Sequence, residues 1–288
     1  MTHHMVSVYK HSLNGVLQVI FSHSILLNVF HTIVFGAFFF LLIITGCSEK
    51  KGKTGQNTQE GDSSEEANLP SYMITRTTAP IVIDGKLDEA DWKKAEERVM
   101  VDAYTGGETP LKSTFRMLWD DSYLYVGVYF EDHDAWATYT GEDDPLWEEE
   151  VLELFIDADC DGNTYYEHEI NPVNAKVDLF LHRCRTNVDS WREWDFKHIK
   201  SAVYVEGDGK NAGTDDKYWI IEVAVPFEDL YEIPSVPPEN GDMWRMNVYR
   251  IERDNPVDKK EVFLAAFSPP FSGHFHATWM FGRVYFKK

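Results

Sequence analysis

Three stretches of the chain alternate with a period of two. Leu124, Val126, Val128 and Phe130 interleave with Tyr123, Tyr125, Gly127 and Tyr129. Leu152, Leu154 and Ile156 interleave with Val151, Glu153, Phe155 and Asp157, and Tyr166, His168 and Ile170 with Tyr165, Glu167, Glu169 and Asn171. Successive side chains of a strand point to opposite faces, so the pattern predicts strands with one parity turned to a core. Runs at 81–83, 113–119, 175–181, 199–206, 218–225, 244–251, 262–267 and 281–286 extend it, separated by Gly, Asp, Asn and Pro. Together they predict an all-β domain over 71–288, an antiparallel β-sandwich that is jelly-roll-like and of immunoglobulin-like proportions. Helix is scarce. Asp88–Ala95 opens on a residue suited to N-capping with an acid three positions later, which predicts a short helix whose Trp92 tucks against a sheet. A further turn is expected at Phe227–Tyr231, after Pro226. Trp119, Trp219 and Trp244 lie inside strand-like runs and are read as core.

The N-terminal residues follow another pattern. Ile33–Thr45 is unbroken apolar sequence, too short to span a bilayer but suited to the hydrophobic region of a signal peptide. Ile44-Thr45-Gly46-Cys47 resembles the lipobox of bacterial lipoproteins, which implies cleavage after 46 and lipidation of Cys47. Ser48 after the cysteine, rather than Asp, favours the outer membrane or cell surface by the same resemblance. An uncleaved signal anchor is the alternative. Residues 47–70 hold almost no apolar side chains and are expected to form a disordered acylated tether.

Charge narrows the partners. With 27 Lys+Arg against 48 Asp+Glu the formal net charge is −21, which repels phosphate backbones and sets nucleic acid aside. Contact with a membrane is expected only through the lipid anchor. Cys160 and Cys184 are free to pair in an oxidising compartment or to stay as thiols.

The candidate chemistry lies in the non-aliphatic parity. Tyr125, Tyr129, Glu153, Glu167, Glu169 and Asn171 would share one outward face if their strands were neighbours. Rings cover the C–H faces of pyranoses, and carboxylates and amides bind hydroxyls. The same parity also describes an ordinary solvated sheet face. Glu153 with Glu169 is the carboxylate pair open to a glycosidase reading. Asp157, Asp159 and Asp161 have the spacing of a calcium loop, although position twelve is His168 and the residues also suit a hairpin turn. Asp84 and Asp88 are further oxygen ligands. His274 and His276 form a zinc-like pair without an evident third ligand, and Met280 with His276 is a haem-type pair without a haem signature. Trp191 and Trp194 either extend a binding surface or plug a gap.

Five blocks, Ile83–Trp92, Leu118–Val128, Trp147–Asp157, Trp244–Val248 and Phe275–Gly282, resemble carbohydrate-binding module family 9 in content and order. The resemblance implies a β-sandwich, sugar recognition without catalysis, and structural calcium. It also implies ligand-binding roles for Trp147 and Phe275 as stacking rings and for Glu153 and Asn171 as hydroxyl partners; Glu169 joins them as a hydroxyl partner from the outward parity alone. The chain departs from the family pattern where Glu169 and Glu261 stand in place of arginines, Ser272 in place of an amide, and Phe275 in place of a tryptophan. The expected function is non-catalytic carbohydrate binding in glycan capture or degradation. A structural or protein-interaction sandwich and a glycoside-processing enzyme are the alternatives.

Overall fold

The computed structural model describes residues 68–182, 194–231 and 236–288. The expected signal peptide, Cys47 and most of the tether, together with Cys184 and Trp191, lie outside the described residues. The packed chain begins at Leu69, shortly before the expected start at 71; Leu69 packs with Ala277 and Met280.

The strands are β1 (Ser71–Arg76), β2 (Arg98–Val99), β3 (Val101–Asp102), β4 (Ser113–Trp119), β5 (Tyr123–Glu131), β6 (Val151–Asp157), β7 (Thr164–Ile170), β8 (Lys176–His182), β9 (Lys200–Val205), β10 (Tyr218–Pro226), β11 (Met243–Arg253), β12 (Glu261–Ala266) and β13 (Gly282–Lys287). Hydrogen bonding runs β8-β7-β6-β11-β13-β1-β4-β5-β10-β9, with β12 on β11, β3 on β12 and β2 on β4. Pairing is antiparallel except at β1, which is parallel to both β13 and β4. Thus β1 joins two halves into one curled sheet, and the halves face each other as the layers of a sandwich.

The interlayer core is the aliphatic parity read from the sequence. Leu124, Val126, Val128 and Phe130 meet Leu152, Leu154, Ile156, Tyr166 and Ile170 there, with Trp119, Trp219 and Trp244 among them. A fully buried aliphatic or aromatic side chain contributes roughly 1.5–3 kcal/mol, so this face fixes the register of every strand.

Each outer face is also covered. On β5 the outward residues are Tyr125, Gly127 and Tyr129, and β5 belongs to the opposite layer from β6 and β7. Tyr125 and Tyr129 therefore do not join the glutamates. Tyr125 is buried with Trp92, Ile81, Leu118 and Ala224 beneath the 79–96 segment. Gly127 makes room for that segment, since a Cβ there would lie 2.4 Å from Leu87 Cδ2. The expected strand at 81–83 is part of this extended covering segment, and the expected helix at 88–95 is a set of turns closed by Lys94 and Ala95 N–H groups donating to Asp91 O. Asp91, not Asp88, is the anchor. Its carboxylate accepts from the Thr78 N–H at 2.6 Å and the Thr77 hydroxyl at 2.8 Å, so the local hydrogen bonds that could start a helix are spent tying the segment to β1. Trp92 is fully buried as expected, its indole donating to Glu222 at 3.0 Å. The turn after Pro226 forms as a 3-10 helix over Phe227–Asp229.

Candidate functional site

The outer face of β6, β7, β8, β11 and β12 carries a second apolar cluster, roofed by Leu146, Phe275 and Phe281 with Tyr139 and Trp147 against it. Two loops supply the roof. The first, residues 138–150, is held by Glu149, which accepts from the backbone N–H of Thr138 at 2.8 Å and of Tyr139 at 3.2 Å and pairs with Lys259 at 3.1 Å. It ends in a 3-10 turn, Leu146–Glu148, that places Trp147 immediately before β6. The second, residues 268–281, carries Phe275, whose ring stacks on Tyr249 at 3.9 Å between centroids and 4° between planes.

Between the loops and the sheet lies a pocket of about 330 Å³. Trp147, Glu153, Glu169 and Phe275, four of the five expected ligand-binding residues, line it together. Glu167, Arg253, Glu261, His274 and His276 line it as well. A concave site with apolar walls and a few polar groups is the usual form of a small-molecule site.

Asn171 does not reach the pocket lining. Its amide nitrogen donates to Tyr139 O at 2.8 Å, and its oxygen accepts from the Ala175 N–H at 2.9 Å and the Val173 N–H at 3.2 Å. Both ends of the amide are used in closing the β7–β8 turn and tethering the first loop. Asn171 therefore ties the first loop to the end of β7. Its outward parity was read correctly, but it lies at the covered end of β7.

The pocket floor is acidic. Glu153 and Glu169 are register partners across β6 and β7, and Glu167 lies two residues along the same face. One oxygen from each can be chosen so that all three lie within 4.8 Å of one another. Burial, with repulsion from Glu167, pushes the Glu153 carboxyl well above the usual range, and Arg253 pulls against this. Burial pushes Glu167 up to about 7, against a hydrogen bond from Glu169. Glu167 Oε2 has no hydrogen-bond partner. Arg253 donates to Trp147 O at 3.2 Å and faces Glu261 at 3.9 Å. His276 shares a hydrogen bond with the Tyr165 hydroxyl at 2.9 Å, and burial, reinforced by His274, pulls its pKa to about 4, so the ring is neutral near pH 7.

Arg253 is the pocket residue that sequence reading missed most plainly. The expected strand stopped at 251, whereas β11 runs to 253 with a bulge at Glu252/Arg253. The outward parity of Tyr249 and Ile251, carried one step further, reaches it. It brings one guanidinium to the pocket beside Glu169 and Glu261.

The Asp157–Asn163 segment is a hairpin turn, with Cys160 and Gly162 at φ 60° and 68°. Asp161 is absorbed in it, accepting from the N–H groups of Asn163 and Thr164 at 2.6 and 2.9 Å. Asp157, Asp159 and Asp161 still converge within 4.8 Å, and the buried Asp157 Oδ1 lacks a partner, so the set fits a calcium-type ion bound by oxygen. His168 supplies no twelfth ligand, because it shares the inner parity of Tyr166 and Ile170 and does not join the turn carboxylates. Asp84 pairs with Lys86 at 3.1 Å and, like Asp88, joins no carboxylate cluster among the described residues. His274 and His276 gather no third ligand there either. Met280 packs with Leu69 and Ala277, outside the pocket lining. Trp194 fills a gap against Tyr166, Phe180 and Phe196. Glu153 and Glu169 stand side by side on one wall, whereas glycoside hydrolysis places two carboxyls on either side of the scissile bond.

Comparison with known proteins bears on the fold and the family. A carbohydrate-binding candidate from Bacteroides uniformis ATCC 8492 superposes with a TM-score of 0.60 at 15% identity, over 76% of this chain and 100% of its own. A carbohydrate binding module family 9 from Caldicellulosiruptor kristjanssonii, in complex with cellotriose, gives 0.52 at 16% identity, over 75% and 93%. These likenesses show the fold. Among curated sequences, "Exoglucanase XynX" of Acetivibrio thermocellus is 27% identical over 126 residues, 42% of this chain; the match spans only 11% of that protein's length. Residues 83–288 match the model of the "Carbohydrate family 9 binding domain-like" family, and the chain belongs to that family.

Proposed function

We infer that the chain binds carbohydrate without catalysis, in the pocket between Trp147 and Phe275. The observation that carries this reading is the convergence of two aromatic side chains, buried carboxylates and Arg253 on one cleft of the sheet's outer face. Trp147 offers a ring for stacking, and the carboxylates and Arg253 offer partners for hydroxyls. Phe275 already has one ring face occupied by Tyr249, so it acts as a rigid wall. The Caldicellulosiruptor kristjanssonii protein holds cellotriose, which makes β-linked glucose oligomers the first ligands to test.

Calcium at Asp157, Asp159 and Asp161, export, and a lipid anchor at Cys47 belong to the same reading. The first rests on the converging turn carboxylates. The others rest on the Ile33–Thr45 run and the lipobox-like residues that follow it. Calorimetric titration of the full-length chain with mono- and oligosaccharides tests the function. Saturable heat, lost on Trp147→Ala, supports it; no heat with any glycan of a broad panel removes it. Metabolic labelling with a fatty acid, compared with Cys47→Ala, tests the anchor.

A further inference from the structure

We propose that the chain has a second binding pocket, at the seam between β8 and β9, and that it takes a pyranose bearing a carboxylate, a uronic acid residue. The sugar part of this statement rests on the function proposed above; the anion site does not.

Register builds the pocket, which has a volume of about 440 Å³. Tyr125 on β5, Ala224 on β10 and Lys200 on β9 are partners across three neighbouring strands, so their side chains share the outer face of that layer. Ala224 is the smallest of the three and leaves a hollow between a tyrosine and a lysine. Ile81 and Ile83 of the covering segment, with Ile199, supply an apolar wall. The two edges of the curled sheet meet beside it. The Ser201 hydroxyl donates to Asn174 Oδ1 at 2.7 Å, which holds the β7–β8 turn against β9 and brings Lys176 to the same cavity.

The charge of the lining is the second observation. The chain has 48 acidic side chains against 27 basic ones, yet two lysines and no Asp or Glu line this pocket. The first pocket is the reverse, with four glutamates to one arginine. Lys86, Lys94 and Lys217 each hold a carboxylate. Lys176 and Lys200 form no ion pair among the described residues. Lys200 Nζ lies 4.6 Å from the centroid of the Tyr123 ring, which keeps the ammonium group at the pocket without neutralising it. The acids on adjoining segments are engaged elsewhere. Asp120 accepts from the Tyr125 hydroxyl at 2.7 Å and the Tyr123 N–H at 2.8 Å. Asp178 is taken by His168 and by the Phe196 N–H at 3.3 Å, and Glu222 by the Gly85 N–H at 2.8 Å and the Trp92 indole at 3.0 Å. Asp143 meets Lys176 through its backbone N–H, which donates to Lys176 O at 3.0 Å, and does not line the cavity.

A hollow with an apolar wall on one side and two ammonium groups on the other suits a ring with C–H faces and one negative charge. The volume lies in the range of small-molecule sites, about 300–1,000 Å³. The isoleucines and Tyr123 meet the pyranose, and the lysines donate charge-assisted hydrogen bonds to its carboxylate. A neutral sugar leaves the ammonium groups without an anion, and an inorganic anion leaves the apolar wall unused. A chain of net charge −21 has no general attraction for anions, so saturable binding of one requires a local site.

Calorimetric titration of the full-length chain uses methyl β-glucuronide, with methyl β-glucoside as its neutral counterpart and sulfate as a plain anion. The variants are Lys176→Gln with Lys200→Gln and, for the first pocket, Trp147→Ala; thermal melting confirms that each is folded. The expected result is saturable glucuronide binding that survives Trp147→Ala, falls more than about tenfold in the double lysine variant and weakens with added salt. In Trp147→Ala the glucoside should bind at least about tenfold more weakly than the glucuronide. No glucuronide binding by the parent chain overturns the pocket, as does binding unchanged in the double lysine variant. Glucuronide binding lost in Trp147→Ala overturns it in favour of the first pocket. Sulfate binding as tight as glucuronide, and competing with it, overturns the sugar assignment and leaves an anion site. Lysine-dependent glucuronide binding without binding of any neutral saccharide leaves this pocket standing and removes the function proposed for the first; neutral binding alone does the reverse.

Discussion

Two buried acidic clusters lie on the two faces of one sheet. The first, Asp132, Glu150 and Glu252, is on the interlayer side and has a resident cation: Arg250 donates to Asp132 at 3.0 Å and to Glu252 at 2.5 Å, with its guanidinium over the rings of Phe130 and Phe263. The second, Glu153, Glu167 and Glu169, faces the pocket, where Arg253 pulls against the raised Glu153 carboxyl and His276 lies 3.8 Å from Glu167. Both clusters arise from the same short stretch, since Glu150 and Glu153 are three residues apart at the start of β6. The difference shows how a sandwich separates structure from function. Arg250 pairs two carboxylates of the closed cluster and leaves a buried Glu150 oxygen without a hydrogen-bond partner, whereas the open cluster stands beside a cavity.

The largest effect should come from Arg250→Met. Removing one partner of a buried ion pair costs about 3–5 kcal/mol, because it strands the carboxylates of Asp132 and Glu252. Denaturant unfolding should show that loss. In contrast Glu167→Gln, in chelator, should leave stability unchanged or raised; a loss as large as that of Arg250→Met would erase the distinction between the clusters. Asn171→Ala should lower stability by about 1–3 kcal/mol through its unmet backbone partners, and weaken saccharide binding only by loosening the roof loop. If instead it abolished binding with no change in stability, Asn171 would have to be a ligand contact. Trp147→Ala should weaken saccharide binding more than about tenfold, with the melting curve nearly unchanged, since stacked aromatics supply binding energy at low entropic cost.

The smallest effect is in pH. Glu167, Glu252 and Asp157 each have a folded pKa raised to about 7, chiefly by burial. In this window the folded state binds more protons than the unfolded state, so stability falls as pH rises. The contribution is complete below the unfolded values and is lost as pH passes through about 7. His276, lowered from 6.5 to about 4, acts in the opposite sense below pH 6.5. The melting temperature in chelator should therefore decline most clearly between about pH 5 and 7 and level off above about pH 8. A rise over that interval would refute the assignment of protonated carboxyls to the folded state.

Much of the fold was legible because burial on one face imposes strict alternation. The aliphatic parity of β5, β6 and β7 and the core placement of Trp119, Trp219 and Trp244 follow from period and hydrophobicity alone. Strand β1, Ser71–Arg76, was not read, since its short run mixes polar residues at a layer junction. The expected helix at Asp88–Ala95 was misread because its residues have good local signals. Asp91, the acid three positions after the expected cap, is instead drawn to Thr77 and Thr78, a tertiary partnership that no local pattern contains.

The site divides in the same way. Within Trp147–Glu153 the order of residues settled which side chains leave the strand on the outer face and that a ring stands at its entrance. Four glutamates share that stretch, and the sequence treats them alike. In the folded chain Glu148 bonds Tyr139 at 2.8 Å, Glu149 staples the roof loop, Glu150 enters the interlayer cluster and Glu153 floors the pocket. Alternation is a property of neighbouring residues and is therefore written in the sequence. The role of a carboxylate depends on the charge and hydrogen-bond donors that distant strands bring to it, and only the closed sandwich decides that.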